Sequence, residues 1–295
     1  MNYLMPLPAI GSVFRSCSVV MDGERVASIH GEVAYCRRSG PRRAIVTLRL
    51  LSYNIRFGGR GREDALAEAI LAAAPDLVVF QEATDPLVIE RLAERTKFPF
   101  WAARRNHSIG FLSRTEVDYH EWHYPAGARH SFLEIVPSGG KGRIFGLHLS
   151  ARFSRWDERR RVREIRSLLE GIKRHQDGFH VLVGDFNTLA PGEVLELDRL
   201  PAWIRALIWI SGRKLQRETI QLMLDAGYAD GFRMLHPDDK GYTFPTWDPH
   251  VRLDYVFVPR TFANRLPKCE VITEPKPRIQ AASDHCPLLA ELATD

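Results

Sequence analysis

One predicted strand ends in two polar residues whose types could support chemistry. The stretch VLVGDFNT, residues 181–188, is a short apolar run followed by Asp185, Phe186 and Asn187. Side chains two positions apart in an extended chain point the same way, so Asp185 and Asn187 are predicted to share one face while Phe186 points to the other. A carboxylate and an amide are therefore expected to be directed at one point.

The ends of other predicted strands carry similar residues. They are Asn54 in LLSYNIRFGG, Glu82 in VVFQEA, His148 in FGLHLSA, Asp284 and His285 in ASDHCPLL, and Asp254 at the head of VRLDYVFV. A buried carboxylate without a partner is costly, so such residues are usually paired, metal-bound or at a cleft. Each one alone is explained as well by a turn cap or a hydrogen-bonded core histidine. Together, an Asn, a Glu, two His and three Asp at consecutive strand ends predict one shared site.

Short apolar runs and helical patterns alternate between these strand ends. GREDALAEAILAAA is predicted as a helix that stops before Pro75, and Asp85 followed by Pro86 is predicted to begin the helix PLVIERLAERT. Ser154 with Asp157 predicts the start of a long helix. The arginines of that helix, Arg159, Arg160, Arg161 and Arg163, are interpreted as its solvated side in preference to a nucleic-acid stripe. Mixed strands and helices predict an α/β sandwich with two packed sheets and helices outside.

The polar strand ends also carry a family resemblance. SYNIRFGG, FQEA, LHLSA, VGDFN, RLDYVFV and SDHCPLLAEL resemble, in order, the motifs of the endonuclease/exonuclease/phosphatase superfamily of deoxyribonuclease-like, metal-dependent phosphoesterases. The resemblance spans about residues 46–292, and GDFN together with SDH is its most specific part. It implies a four-layer αββα sandwich of two mainly antiparallel, mixed sheets. It also implies a phosphodiesterase in which water attacks directly.

The resemblance implies a role for each motif residue. Glu82 is similar to the main Mg²⁺ ligand, with Asn54 and Asp284 completing the oxygen shell, and Mn²⁺ is an expected substitute. Asp185 resembles the residue that orients or deprotonates the attacking water, and Asn187 would donate to the phosphate. The remaining candidate catalytic residues, expected to bind non-bridging phosphate oxygens or to brace a residue that does so, are His148, Asp254 and His285.

Residues that follow the catalytic strand ends are candidate substrate contacts, because such loops usually determine specificity. Each of them could equally be a surface charge or a packed aromatic. They are Arg56, Arg60, Arg152, Arg155, Trp247 and Arg252.

Composition adds weak evidence about substrate and location. Among 295 residues, 41 Lys and Arg against 36 Asp and Glu give a net charge of +5, which favours a polyanion such as nucleic acid. A GC-rich genome would explain the arginines equally well. Four scattered cysteines predict reduced thiols in a cytoplasmic protein. No apolar run approaches the roughly 20 residues that cross a bilayer, so no stable membrane insertion is expected. We also expect the protein to be a monomer.

Two alternative functions remain open. The apolar segment PAWIRALIWI, residues 201–210, could rest on a membrane as in sphingomyelinase-like members, or form a buried helix or a lid. A lipid or small-molecule phosphoesterase is therefore the alternative to a nuclease. A non-catalytic nucleic-acid-binding module on the same fold is disfavoured, because every expected catalytic position is occupied.

The chain is expected to divide near Val46. Residues 1–45 show little periodicity and include the basic, turn-prone CRRSGPRR. We expect a loosely packed N-terminal extension, or a reading frame whose real start lies near Val46. Residues 46–295 are predicted to form the catalytic domain.

Overall fold

The structure is a computed structural model and divides into two compact units, Met1–Ala44 and Ile45–Asp295. It describes residues 20–21, 24–25, 27–29, 32–34, 46–125, 128–140, 142–151, 154–193, 196, 199, 205 and 217–294. In the first unit, four short strands form two antiparallel pairs, β1 (Val20–Met21) with β2 (Glu24–Arg25) and β3 (Ala27–Ile29) with β4 (Glu32–Ala34).

The second unit contains two six-stranded sheets. Its strands are β5 (Val46–Asn54), β6 (Leu77–Gln81), β7 (Phe100–Ala102), β8 (Ile109–Ser113), β9 (Val117–His123), β10 (Phe132–Pro137), β11 (Arg143–His148), β12 (His180–Asp185), β13 (Tyr228–Asp230), β14 (Asp254–Pro259), β15 (Lys268–Val271) and β16 (Leu288–Thr294). Sheet I has the order β15-β16-β5-β6-β8-β7, and sheet II has the order β13-β14-β12-β11-β10-β9. The pairs β5–β6 and β11–β12 are parallel and the others antiparallel, so both sheets are mixed as expected.

Helices cover the outer face of each sheet. In chain order they are α1 (Glu63–Ala73), α2 (Pro86–Thr96), α3 (Arg155–Gly171), α4 (Glu218–Asp225), α5 (Gly231–Leu235) and α6 (Lys276–Ala282), with 3-10 helices at Phe57–Gly59, Lys173–His175 and Arg260–Arg265. One buried cluster joins sheet I to α1, α2 and α6, and another joins sheet II to α3 and α4. A third cluster lies between the sheets. The four-layer αββα sandwich is confirmed.

The alternation of side chains along the strands produces these layers. In β6, Leu77 and Val79 pack between the sheets while Val78 and Phe80 pack against the helices. The sheets also approach closely at Gly146, where a Cβ atom would lie 2.6 Å from Val79 Cγ1. A larger residue at this position would push the two sheets apart.

The predicted helix starts at Asp85 and Ser154 are confirmed. The Asp85 carboxylate accepts the Leu87 N–H at 3.2 Å, and Ser154 Oγ accepts the Asp157 N–H at 3.2 Å. A capping side chain satisfies a backbone donor that has no partner within the helix. The helices α2 and α3 therefore begin where their first-turn chemistry predicts.

One member of the arginine run does not face solvent. Arg161 is 2% exposed, and its guanidinium contacts the buried Glu158 through Nε at 3.0 Å and Nη2 at 2.8 Å. Its Nη1 donates to the Ser150 carbonyl at 2.7 Å. The prediction of an outward side chain is wrong for Arg161, because positions 158, 161, 165 and 168 lie on the buried side of α3.

Removal of Arg161 is expected to destabilise the fold. In Arg161→Met the Glu158 carboxylate stays buried without its cation, so we expect the free energy of unfolding to fall by about 3–5 kcal/mol. The exposed Arg163 is the matched control, and Arg163→Met should change stability by about 0.5 kcal/mol or less. Guanidinium denaturation followed by circular dichroism measures both. Equal midpoints for the two variants would contradict a structural role for the pair.

The segment PAWIRALIWI lies outside the described residues except for Arg205. In the part of the chain that the structure describes, no helix has the length and apolarity needed to span a bilayer.

Candidate active site

Strand pairing brings the polar strand ends to one edge of the sandwich. In sheet II, His148 is the register partner of Asp185, and Asp185 is the partner of Asp254. The strand β14 runs antiparallel to β12, so its first residue lies beside the last residue of β12. By the same reasoning, residues before β16 in sheet I lie beside the end of β5 at Asn54.

Side chains from the two sheets meet at this edge. Asn54 Nδ2 donates to Asp185 Oδ2 at 3.0 Å. His285 Nδ1 lies 2.9 Å from Asp254 Oδ2, and His285 Nε2 lies 3.9 Å from Asp185 Oδ2. All four residues are buried. The structure therefore brings together residues from four predicted strand ends.

His148 borders the same carboxylate. Its Nε2 lies 3.9 Å from Asp185 Oδ2, and its Nδ1 is hydrogen-bonded to Ser108 Oγ. The ring of His130 stacks on His148 at a centroid distance of 5.1 Å, and His130 Nδ1 is 2.9 Å from the His148 carbonyl. Ser108 and His130 lie in connecting segments, and neither was predicted from the sequence, because no local pattern distinguishes them.

Asn187 reaches the site by a different route from the one predicted. The strand β12 ends at Asp185, and Asn187 has a left-handed backbone with φ 52°. Its N–H donates to Asp185 Oδ1 at 2.8 Å, and its Nδ2 donates to the Leu149 carbonyl at 3.0 Å. Strand alternation is therefore the wrong reason for their proximity, and a turn brings them together. Gly184 precedes this turn. A Cβ atom on residue 184 would lie 2.0 Å from the Leu147 carbonyl oxygen, so only glycine fits there.

Glu82 is held by backbone groups around it. Its Oε2 accepts the Phe57 N–H at 2.5 Å, and its Oε1 lies 3.4 Å from Asn54 Nδ2. Glu82 has φ 58°, a conformation that costs a non-glycine residue about 1–3 kcal/mol. Its carbonyl accepts N–H groups from Gly58 at 3.0 Å and Thr84 at 2.8 Å. The surrounding loops therefore stabilise the position of this carboxylate.

The three central titratable groups differ in charge. Burial raises the pKa of Asp185 to about 7, although His285 acts in the opposite direction. Burial disfavours the charged form of His285, but neighbouring carboxylates, Asp254 first, raise its pKa to about 10. Burial is also the main cause that lowers the pKa of His148 to about 3. At neutral pH His285 is therefore a cation, His148 is neutral, and Asp185 exchanges a proton readily.

Two groups of side chains could hold a metal ion. Asp185, Asp254 and His285 place one ligand atom each within 4.8 Å of one another. This group fits a metal poorly, because a protonated imidazole has no lone pair to donate. The second group is the predicted ligand set Glu82, Asn54 and Asp284, which offers only oxygen ligands, and in which Asn54 Nδ2 lies 3.4 Å from Glu82 Oε1. Such oxygens suit Mg²⁺, which is a hard cation that keeps several waters.

Two guanidinium groups lie close to the second group, since Arg62 interacts electrostatically with both Glu82 and Asp284. Arg56 Nε lies 3.3 Å from Asp284 Oδ2, and the Arg56 N–H donates to Asn54 Oδ1 at 2.9 Å. The Glu82 and Asp284 carboxylates are therefore partly balanced by two guanidinium groups. The fit to Mg²⁺ rests on the oxygen-only set of donor atoms.

The candidate substrate contacts are placed differently from one another. Arg56 lies at the site, and Trp247 is 60% exposed next to Thr246, whose N–H donates to the Asp284 carbonyl at 2.9 Å. Arg60 is paired with Asp85 at 2.5 Å, and Arg155 is exposed at the start of α3. Arg152 lies outside the described residues.

Arg252 is not brought to the site. It is buried and makes two hydrogen bonds to the Asp230 carboxylate, at 2.9 and 2.6 Å. Its Nε donates to Glu193 Oε1 at 2.7 Å. The guanidinium is therefore used inside the fold, and its placement does not fit the predicted substrate contact.

Solved structures of other proteins share this fold. An AP endonuclease from Archaeoglobus fulgidus is 18% identical over 82% of this chain and 98% of its own, with a TM-score of 0.64. The 3' phosphatase NExo from Neisseria, bound to a product DNA hairpin, is 19% identical over 83% and 99%, with a TM-score of 0.59. D. rerio TDP2 with a single-strand DNA product is 19% identical over 84% and 99%, with a TM-score of 0.58. At sequence identities of 18–19%, this structural similarity shows a shared fold.

Curated proteins and protein families give two different results. No curated protein sequence matches the chain. The model of the Endonuclease/Exonuclease/phosphatase family matches residues 51–285, a range that begins in β5 and ends at His285. Members of this superfamily are phosphoester hydrolases. The chain therefore belongs to the Endonuclease/Exonuclease/phosphatase family.

Proposed function

We propose that residues 46–295 form a Mg²⁺-dependent phosphodiesterase that cleaves nucleic acid, with DNA as the favoured substrate. The observation that carries this proposal is the meeting of Asn54, Asp185, Asp254 and His285 across the two sheets, with hydrogen bonds of 3.0 and 2.9 Å. A buried carboxylate, a braced imidazolium and a nearby set of oxygen ligands are the groups that water attack on a phosphodiester requires.

Asp185 is the proposed proton acceptor for the attacking water. Its raised pKa matches a general base that works near neutral pH. Asn54 fixes one carboxylate oxygen through its Nδ2, and the Asn187 N–H fixes the other. The carboxylate is therefore held in one orientation before the water arrives.

His285 is the proposed cation for the phosphate oxygens. Asp254 accepts from Nδ1 at 2.9 Å, which orients the ring and leaves Nε2 facing Asp185. A fixed imidazolium in a buried site stabilises the negative charge that develops as water attacks. His148 would add a neutral donor through Nε2.

The metal would be held by the oxygen-only group of Glu82, Asp284 and Asn54. Bound Mg²⁺ supplies charge stabilisation at the phosphate oxygens and at the leaving group. Arg56 contacts Asp284 and lies where it can bind a phosphate as well.

Nucleic acid is favoured over lipid by the exposed groups around the site. Arg56 can pair with a phosphate, and the exposed Trp247 can stack on a base. NExo and TDP2, which share the fold, are complexed with DNA. We also propose a monomer in the cytoplasm, where free, buried cysteines such as Cys269 and Cys286 stay reduced.

One substrate panel tests the proposal. Bis-p-nitrophenyl phosphate reports generic phosphodiesterase activity, and supercoiled DNA, an abasic duplex, a 5'-phosphotyrosyl oligonucleotide, sphingomyelin and an inositol phosphate report the substrate class. Each is assayed with Mg²⁺, with Mn²⁺ and with chelator. We expect chelator-sensitive cleavage of bis-p-nitrophenyl phosphate and of at least one DNA substrate. Faster turnover of sphingomyelin than of any DNA would refute the nuclease assignment.

Asp254→Asn is expected to change the pH dependence of the reaction. The carboxylate of Asp254 raises the pKa of His285, so catalysis that needs the imidazolium persists until the pH rises through the pKa of about 10. Loss of the carboxylate lowers that pKa by about 1–3 units. The alkaline fall in kcat should therefore move toward neutral pH, with a loss at pH 8.5 of about 1.3-fold if the pKa falls to about 9 and about 30-fold if it falls to about 7. A profile of kcat against pH measures the shift, and an unmoved alkaline limb would exclude this role for Asp254.

A further inference from the structure

The outer side of α3 carries a line of cationic residues around an exposed aromatic ring. We call Trp156, Arg159, Arg160, Arg163 and Arg166 the arginine face. Their spacings of three and four positions place them on one side of the helix, opposite the buried Arg161. They line an open groove of about 570 Å³ together with Val162 and Glu218.

The acidic residues of α3 do not neutralise the arginine face. Glu158 and Glu164 are buried, where Glu158 pairs with Arg161 and Glu164 accepts the Ser150 N–H at 3.2 Å. Asp157 is hydrogen-bonded to the capping residue Ser154. Within the described part of the chain, none of the four arginines of the arginine face forms an ion pair. The exposed Glu170, four positions after Arg166, pairs with Lys173 at 3.6 Å and is the one acidic residue of α3 on the basic side of the helix.

This distribution is unfavourable for an isolated helix. Arg159 and Arg163 are four positions apart, and Arg163 and Arg166 are three apart, so like charges are neighbours on the surface. Opposite charges at these spacings would stabilise the helix by about 0.2–0.5 kcal/mol per pair, and like charges destabilise it by a similar amount. The repulsion is relieved when a polyanion lies along the face and releases its counterions.

Trp156 adds a feature that a purely electrostatic surface does not need. Its side chain is 71% exposed between arginines. Aromatic rings beside cationic groups are the elements with which proteins bind single-stranded nucleic acids, because each base offers a flat surface for stacking. A base in a duplex is already stacked on both sides and cannot lie on this ring.

The helix that carries the arginine face begins beside the candidate active site. The helix α3 follows β11, which ends at His148, and its first turns are fastened to two loops of the site. Arg161 Nη1 donates to the Ser150 carbonyl at 2.7 Å, and Thr188 Oγ1 donates to Glu158 Oε2 at 3.0 Å. At 1.5 Å per residue, the face extends about 15 Å away from that edge. This length spans several phosphates of an extended strand.

We propose that the arginine face binds the backbone of a single-stranded nucleic acid flanking the cleaved bond, with Trp156 stacked on a base. The proposal rests on the function proposed above, since it extends the same substrate beyond the catalytic site. It assigns the face a role in affinity, and it assigns the face no role in the chemical step.

Two variants with equal charge loss test this proposal. The first carries Arg159→Gln, Arg163→Gln and Arg166→Gln. The control carries Arg91→Gln, Arg95→Gln and Arg278→Gln, which are partly exposed arginines paired with Glu63, Asp64 and Glu68. Binding to a fluorescent oligonucleotide of about 20 nucleotides is measured by anisotropy with chelator, between about 50 and 300 mM salt.

At about 100 mM salt, the first variant should bind the oligonucleotide about tenfold or more weakly than the wild type. Its slope of log K against log salt concentration should be smaller in magnitude by about 2, because each of the three lost phosphate contacts to a single strand contributes about 0.7. The control should bind like the wild type within about twofold. Trp156→Ala should weaken binding about tenfold without changing the slope, because stacking involves no counterion release. Equal affinities for the two triple variants would overturn the proposal.

Kinetics separate this proposal from the proposed function. With an oligonucleotide substrate, the first variant should raise KM and keep kcat, while hydrolysis of bis-p-nitrophenyl phosphate stays at the wild-type rate. A first variant that keeps oligonucleotide binding but loses binding to phosphatidylserine vesicles would show a membrane-binding face and reject the proposal. A wild-type protein inactive on bis-p-nitrophenyl phosphate would refute the hydrolase, and the anisotropy result would still decide whether the face binds nucleic acid.

Discussion

Asp185→Asn is expected to lower kcat on bis-p-nitrophenyl phosphate by about 10³-fold, the scale of a lost general base. Asparagine keeps an oxygen that can accept from Asn54 Nδ2, which donates to Asp185 at 3.0 Å, but it cannot take a proton from water. The loss should therefore appear in kcat and leave KM nearly unchanged. Initial rates over a range of substrate concentrations measure the separation.

The destabilisation of the same variant should be smaller at alkaline pH than at acidic pH. Burial raises the pKa of Asp185 to about 7, above the value of an unfolded chain, so its contribution to stability is present at low pH and is lost as the pH rises through about 7. The amide that replaces this carboxyl group cannot ionise, but its NH2 group would face the Asn187 N–H, which Asp185 Oδ1 accepts at 2.8 Å, and this loss applies at every pH. We therefore expect the difference in melting temperature between the wild type and the variant to be smaller at pH 8.5 than at pH 5. A difference that stays constant with pH would contradict the raised pKa of Asp185.

Glu82→Gln should lower kcat by about 10² to 10³-fold, which corresponds to about 3–4 kcal/mol of lost charge stabilisation. The amide keeps most of the shape of the side chain but removes the negative charge proposed to hold Mg²⁺. The Phe57 N–H, 2.5 Å from Oε2, would still have an acceptor if the amide oxygen takes that place. Titration calorimetry should show that the variant binds Mg²⁺ at least about tenfold more weakly than the wild type.

Glu90→Gln is the matched control, because Glu90 is exposed on α2 in the same part of the sandwich. It removes an equal charge away from the site and should leave both kcat and Mg²⁺ affinity at wild-type values. If Glu82→Gln and Glu90→Gln bind Mg²⁺ equally well, then Glu82 is not the metal ligand.

The interior strands could be predicted from the sequence, and the edge strands could not. Each interior strand has a nearly continuous apolar run, as in β6, because it is covered on both faces. Within residues 46–295, the strands that the sequence patterns did not predict are β7, β9, β13 and β15, which are the four edges of the two six-stranded sheets. In β9 most side chains are exposed, so its sequence VDYHEWH lacks the apolar run that identified the others.

Site residues at the ends of interior strands could also be predicted, because those strands could be identified from their apolar runs. Strand direction places Asp254 and His285 at the same edge of the sandwich, and the packing of the two sheets then brings them to 2.9 Å. Arg161 was predicted to face solvent and Arg252 to contact substrate, yet each pairs with a buried carboxylate. The pairing of Arg252 joins residues 22 positions apart, which no local pattern reports. In α3 a signal existed, since Glu158 and Arg161 lie three apart on the apolar side.

The first and last strands of the second unit, β5 and β16, pair next to the candidate active site, and this affects when the site can form during synthesis. Ser283 Oγ donates to the Asn54 carbonyl, a contact between residues 229 positions apart, and β16 then pairs with β5 along its length. A ribosome-bound chain that has not yet released β16 cannot complete the cleft. Under the proposed nuclease function, nascent polypeptides are therefore expected to be inert toward nearby messenger RNA or chromosomal strands until translation has passed this strand.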